Sequence, residues 1–242
     1  MKKNLVFILL IATLVACDKH DPILPGVRSP IFDTNNLVML NTEAPMVTGD
    51  FATNGDETCE YKLDEKNTIW DGERRVFTGF ATENSVNGDR RVYCHNKFIY
   101  AGLTTGELVK VSPVNRQIKW IADVYRPSNM TGGASVLDIV APIVFDKNDI
   151  YVGGLGKAFC KISDQSGQSK WCLDIGVENK FLVSDSVIFV LDTDKNLYAV
   201  RSSDGGVYWR EHVKKSGDLE YSDGYIIVNH QRFDAKNGQS AN

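Results

Sequence analysis

The chain has 242 residues, 27 basic and 31 acidic side chains for a net charge of −4, and 43% hydrophobic residues. That is ordinary globular composition, and with no basic stretch interleaved with aromatics it argues against a nucleic-acid partner. Cysteines number five and histidines four.

The first residues are a leader. Lys2-Lys3 precede an apolar run over 5–14 that is too short to span a bilayer and ends in small residues, as a secretory signal does. Leu14-Val15-Ala16-Cys17 looks like a bacterial lipobox, which makes residues 1–16 a lipoprotein signal peptide and Cys17 the lipid anchor. One acyl chain binds a membrane at only about 10⁴ M⁻¹; lipoproteins of this kind carry several on the Cys, so the resemblance implies permanent tethering. Asp18 follows, the residue type that retains lipoproteins in the inner membrane of enteric bacteria, and it weighs against an outer-membrane assignment without overturning it. Residues 17–42, with Pro22, Pro25 and Pro30, read as the lipidated N-terminus and an extended tether, and residues 43–242 as one domain.

Within that domain a unit recurs. A strand-ending apolar or aromatic residue stands nine positions before each Trp: Tyr61 before Trp70, Val111 before Trp120, Ile162 before Trp171 and Val200 before Trp209. Upstream of the last three lie apolar runs at 98–102, 150–154 and 187–191. The best-kept copy is residues 187–209: an apolar strand, an Asp194-Lys195-Asn196 turn, a second strand at 197–200, the turn Ser203-Asp204-Gly205-Gly206, and a strand closing on Trp209. One such hairpin cannot bury its own faces, so it needs its copies. A period of roughly 40–50 residues is that of β-propeller blades, each of four antiparallel strands. The expectation is an all-β propeller of about five blades, the last starting its unit at Phe233 and reaching Asn242 where a Trp is expected.

Residues 97–213 resemble the quinoprotein-type propeller repeat. The segments 102–108, 137–144, 188–197 and 203–209 are similar, in order, to the BamB family of outer-membrane assembly lipoproteins, as is Leu24-Pro25-Gly26-Val27-Arg28 behind the lipidated Cys. The resemblance implies a non-enzymatic scaffold on the periplasmic face of the outer membrane. Its partners would be the periplasmic domains of BamA, other Bam components and unfolded outer-membrane proteins, and it would use no cofactor. It also implies eight blades and a longer chain, so ring closure is open. Asp138 lies near where such proteins place acidic residues toward their barrel partner, and a solvated turn acid is the competing reading.

Other chemistry finds little support. Quinone-dependent dehydrogenases built on this repeat carry adjacent cysteines over their cofactor, and no adjacent pair occurs here. Trp70, Trp120, Trp171 and Trp209 therefore read as packing residues that lock one blade to the next. Asp192-Thr193-Asp194-Lys195-Asn196 begins like a Ca²⁺ loop but has Leu197 and Ser203 where Gly and Glu are needed, which makes it a hairpin turn and leaves no metal site. His20, His95, His212 and His230 show no metal-like spacing. Cys59, Cys94, Cys160 and Cys172 allow three pairings, and Cys160 and Cys172 flank the Ser166-Gly167 turn symmetrically enough to face each other across a hairpin. A degenerate remnant without a stable fold is the third reading.

Overall fold

In a computed structural model the described residues are 37–55, 59–82, 92–125 and 136–241. They fold into nineteen β-strands and no helix. Each sheet is an antiparallel meander in chain order. The first blade has three strands, β1 (Lys62–Leu63), β2 (Thr68–Asp71) and β3 (Arg74–Thr78). The second has β4 (Val92–His95), β5 (Phe98–Gly102), β6 (Glu107–Val111) and β7 (Ile118–Asp123). The third has β8 (Val144–Asp146), β9 (Asp149–Gly153), β10 (Phe159–Ser163) and β11 (Ser169–Leu173). The fourth has β12 (Leu182–Val183), β13 (Val187–Leu191), β14 (Asn196–Arg201) and β15 (Val207–His212). The fifth has β16 (Leu219–Ser222), β17 (Tyr225–Val228), β18 (Gln231–Asp234) and β19 (Ser240–Ala241). The all-β propeller of four-stranded blades is thus present, five sheets strong among the described residues.

Local sequence sets the turns. Asn96-Lys97, Asp223-Gly224 and Asn229-His230 all hold positive φ at both positions, the two-residue turn whose twist matches flanking antiparallel strands. Middle strands are apolar on both faces, as in β13, where all five residues are buried. A sheet sandwiched between two others has no wet face, so alternation disappears there.

The core is divided by junction rather than shared. One apolar cluster joins the first and second blades through Ile69, Phe77, Ile99 and Val111. A second joins the second and third through Tyr100, Trp120, Phe145 and Ile150. A third joins the third and fourth through Tyr151, Phe159, Ile188 and Val200. The fourth joins the fourth and fifth through Phe189, Trp209, Ile226 and Phe233. Each blade is thus cemented to its sequence neighbours by side chains from both faces.

Residues 37–55 do not form a sheet of their own; they run across the blades as a strap. Val207 on β15 donates its N–H to Val38 and accepts from Leu40, a parallel pairing centred on Met39. Ala44 N–H then bonds Lys236 O in the fifth blade, and the Tyr221 hydroxyl bonds Val47 O. Ala52 N–H reaches Val183 O on β12, and Phe145 N–H on β8 reaches Thr53 O. A disulfide from Cys59 to Cys94 on β4 follows, before the chain enters β1. The strap thus touches the fourth, fifth, third and second blades before the first is built. Residues 37–42, assigned from sequence to the tether, already lie on the blades here.

Candidate partner-binding surface

Three tryptophans share one geometry. The Trp120 indole N–H donates to Asp164 O at 2.9 Å, Trp171 to Ser202 O at 3.1 Å and Trp209 to Ala235 O at 3.1 Å, each in the following blade. Three residues past each carbonyl stands Gly167, Gly205 or Gly238, with φ of +72°, +80° and +75°. A Cβ on these glycines would sit 2.7, 3.1 and 2.7 Å from the Trp of the preceding blade. So glycine is needed twice over, for left-handed backbone and for ring contact. The Trp that uses each turn belongs to the blade before it, not to its own.

Trp70 departs from this pattern. It lies in β2, and its indole donates to the Asp64 carboxylate at 2.9 Å inside its own blade. Its counterpart is Tyr198, which donates to Asp192 at 2.8 Å; both rings stand six residues past a turn aspartate. The nine-residue spacing from Tyr61 is a coincidence of register, and among the described residues the Trp70 indole bonds no other blade. At the second blade's outer turn Arg116, at φ +57°, replaces the glycine.

The remaining sequence candidates are placed as follows. Cys160 and Cys172 are cross-strand partners on β10 and β11 and are joined by a disulfide. Asp138 is only 2% exposed, and its backbone carbonyl accepts from Leu155. A carboxylate so enclosed presents no surface to a partner or to water, so neither the partner contact nor the solvated turn acid expected from sequence holds. Asp192 is buried and accepts from Asn196 N–H and Tyr198 O–H, the hairpin-turn role. Burial and then the Asp192 contact hold the Tyr198 hydroxyl well above its ordinary range, so it stays a donor. Cys17 and Asp18 lie outside the described residues. Among the described residues no group of three His, Cys, Asp or Glu side chains could hold a metal ion.

Buried polar chemistry sits in the junctions and is structural in character. Lys110 on β6 bonds both the carboxylate and the carbonyl of Asp164, at 2.8 and 2.9 Å, beneath the rings of Phe98 and Tyr100. The Tyr100 hydroxyl donates to the same carboxylate, and burial with that bond pushes it far above its usual pKa. One junction on, Lys161 bonds Ser202 O of the next blade, but its charge partner is Asp149 on β9 of its own blade. Each buried charge thus has its counter-charge within reach, which offsets the cost of taking it out of water. At the first junction the polar group is Asn67, which is fully buried and bonds Thr104 twice and Phe80 O once.

What is left open is the outer rim. Val114, Ile118 and Ile121 of the second blade and Phe80 beside the first are exposed. On the inner side a groove of about 800 Å³ runs between Phe51 and Thr53 of the strap and Lys180, Leu182 and Tyr221 of the blades.

Comparison with known proteins places this architecture. A family model described as outer membrane protein assembly factor BamB matches residues 25–211. The crystal structure of BamB from Moraxella catarrhalis superposes with a TM-score of 0.53 at 14% identity, covering 81% of this chain and 64% of that one. The chain thus spans just under two thirds of that protein's length. Weaker likenesses are to the computationally designed Ika8 protein, TM-score 0.49, 10% identity, 76% of this chain and 55% of that one. A quinohemoprotein alcohol dehydrogenase from Comamonas testosteroni gives 0.41 at 12% identity over 50% of this chain and 20% of that one. No curated protein matches the chain.

Proposed function

Because the chain belongs to the BamB family of outer membrane protein assembly factors, we propose that it is a non-enzymatic scaffold assisting insertion of β-barrel proteins into the outer membrane. It does so by docking periplasmic domains of BamA, unfolded barrel chains, or both, while Cys17 holds it at the periplasmic face through lipid. The observation that carries this reading is the strand pairing at Val207. An outer blade edge of this chain already accepts an extended segment at one residue, where Val207 donates to Val38 O and accepts from Leu40 N–H. Strand addition satisfies peptide groups on both partners whatever the guest sequence, which suits a protein handling many different unfolded barrels.

The blades supply rigidity and the rim supplies contacts. Five sheets bolted at their junctions hold loops and edges in fixed relation, so a partner is met without first ordering the host. No observation on the described residues favours the quinone-enzyme reading over this one.

Affinity capture tests the proposal. Tagged chain, solubilised in detergent from its own membranes, is expected to recover BamA; consistent absence of BamA from the eluate contradicts the scaffold reading. Cys17→Ser is expected to release the chain from membranes, and density-gradient separation then reports whether Asp18 leaves the native chain in the outer or the inner fraction.

A further inference from the structure

Four outer hairpins share a register, the fifth blade's with Phe233 opposite the polar Ser240, and in the other three that register exposes an unequal treatment of one position. In the fourth blade Val200 opposes Val207 behind a bulge, two residues before Trp209. In the second, Val111 opposes Ile118 behind the same bulge, two residues before Trp120; in the third, Ile162 opposes Ser169, two before Trp171. The hairpin hydrogen bonds agree, with Arg201 N–H to Gly206 O matched by Ser112 to Gln117 and Ser163 to Gln168. Val207, Ile118 and Ser169 are therefore the same site in three blades.

Val207 is 0% exposed because residues 38–40 pair along it and Leu37 packs on the junction cluster beside it. Ile118 is 49% exposed, and Ile121, three residues on, is 46% exposed. In the third blade the corresponding residues are Ser169 and the disulfide-bonded Cys172, with Lys170 paired to Asp149 between them. That edge is blunted by charge, the usual protection against unwanted pairing. The second blade's edge is not. Ile118 and Ile121 oppose Val111 and Val109, so they extend the apolar face of the first junction outward past its cover.

We propose that the outer edge of β7 is a strand-acceptor site whose occupant is an extended segment of an unfolded β-barrel protein, paired parallel to β7 as residues 38–40 pair with β15. This rests on the scaffold reading and names the place where it acts. A transmembrane β-strand alternates apolar and polar residues over about ten positions, so its apolar set covers Ile118 and Ile121 while its backbone meets the N–H and C=O of Ile118. The seat differs from the fourth blade at one point. Leu40 rests over Gly206, where a Cβ would lie 3.1 Å from it, whereas Gln117 stands there in the second blade. The guest residue at the Leu40 position must then be small or polar.

The test uses the full chain in detergent and a fluorescent peptide of about ten alternating Val and Thr residues. Binding is expected, with photo-crosslinks from a benzophenone side chain placed at Lys119. Ile121→Lys is expected to raise the peptide Kd at least about tenfold, because a gatekeeper charge on an edge strand opposes apolar pairing. Val114→Lys, at the 92% exposed hairpin tip, is expected to leave Kd unchanged. Peptide that binds undiminished to Ile121→Lys, or that crosslinks elsewhere, overturns the site while leaving the scaffold reading intact. No peptide binding by a chain that still captures BamA overturns the site and confines the function to docking BamA. Concentration-dependent dimers abolished by Ile121→Lys would assign the edge to a second copy of the chain and overturn the proposed occupant.

Discussion

The first junction and the three that follow are held by different chemistry. From the second blade onward, each junction carries a Trp whose indole bonds the next blade's turn carbonyl and lies on that turn's left-handed Gly. At the first junction no such bolt occurs among the described residues. Asn67 bonds across to Thr104, and the Cys59–Cys94 disulfide ties the lead-in of the first blade to β4 of the second. At the later junctions an indole thus lies on the outer turn, while beside the first Val114, Ile118 and Ile121 stand in solvent. A repeat that is broken at one end offers the surface that intact repeats conceal.

That contrast can be broken by substitution. Trp209→Ala should cost the most, about 3–5 kcal/mol, since it opens a cavity and leaves Ala235 O without its donor. Urea unfolding would measure it, and a loss below about 1 kcal/mol would remove the bolt from the account. Replacing both Cys59 and Cys94 by Ser should cost on the order of 3 kcal/mol, because the bond closes a 35-residue separation in the unfolded chain. Limited proteolysis of that variant should cut first within the strap and the first blade. Gly167→Ala should cost roughly 2 kcal/mol, through left-handed strain and a Cβ pressed into Trp120. Arg116→Gly should have the opposite sign and the smallest size, a gain of up to about 1 kcal/mol, since Arg116 holds the same left-handed backbone with no indole upon it. A loss on Arg116→Gly would mean that the Arg side chain holds the first junction after all.

Proton linkage gives a minor check on the second junction. His95 stacks on Phe145, and burial holds its pKa below the ordinary 6.5, with Asp164 and Lys110 acting in opposite directions. A His whose folded pKa is depressed contributes stability above its unfolded pKa and loses it as pH falls through 6.5 and below. Denaturation midpoints should therefore drop from pH 7 to pH 5 less steeply in His95→Gln than in the parent.

Much of the blade architecture was legible because it repeats. Residues 187–209 carry strand, turn, strand and Trp in one stretch, and the same order recurs around Trp120 and Trp171. Spacing alone could not tell which turn each Trp uses, since the ring acts on the following blade, and it admitted Trp70 because a strand residue fell nine positions after Tyr61. The strap was hidden for a different reason. Residues 37–55 pair through a few scattered bonds with three separate blades, so they carry no period, and Pro22 to Pro30 before them point to a tether. Asp138 was placed on the surface by analogy, and its burial beneath the Gly154 turn is a tertiary fact no local pattern records.

The most direct test compares two amides in one sample. Residue-resolved hydrogen exchange on the full chain should find the Val207 N–H slow, because it donates to Val38 O, and the Ile118 N–H fast, because its equivalent partner is absent from the described chain. Addition of the alternating peptide should slow Ile118 and leave Val207 as it was. Equal protection of the two amides in the free chain would contradict an open acceptor edge on the second blade.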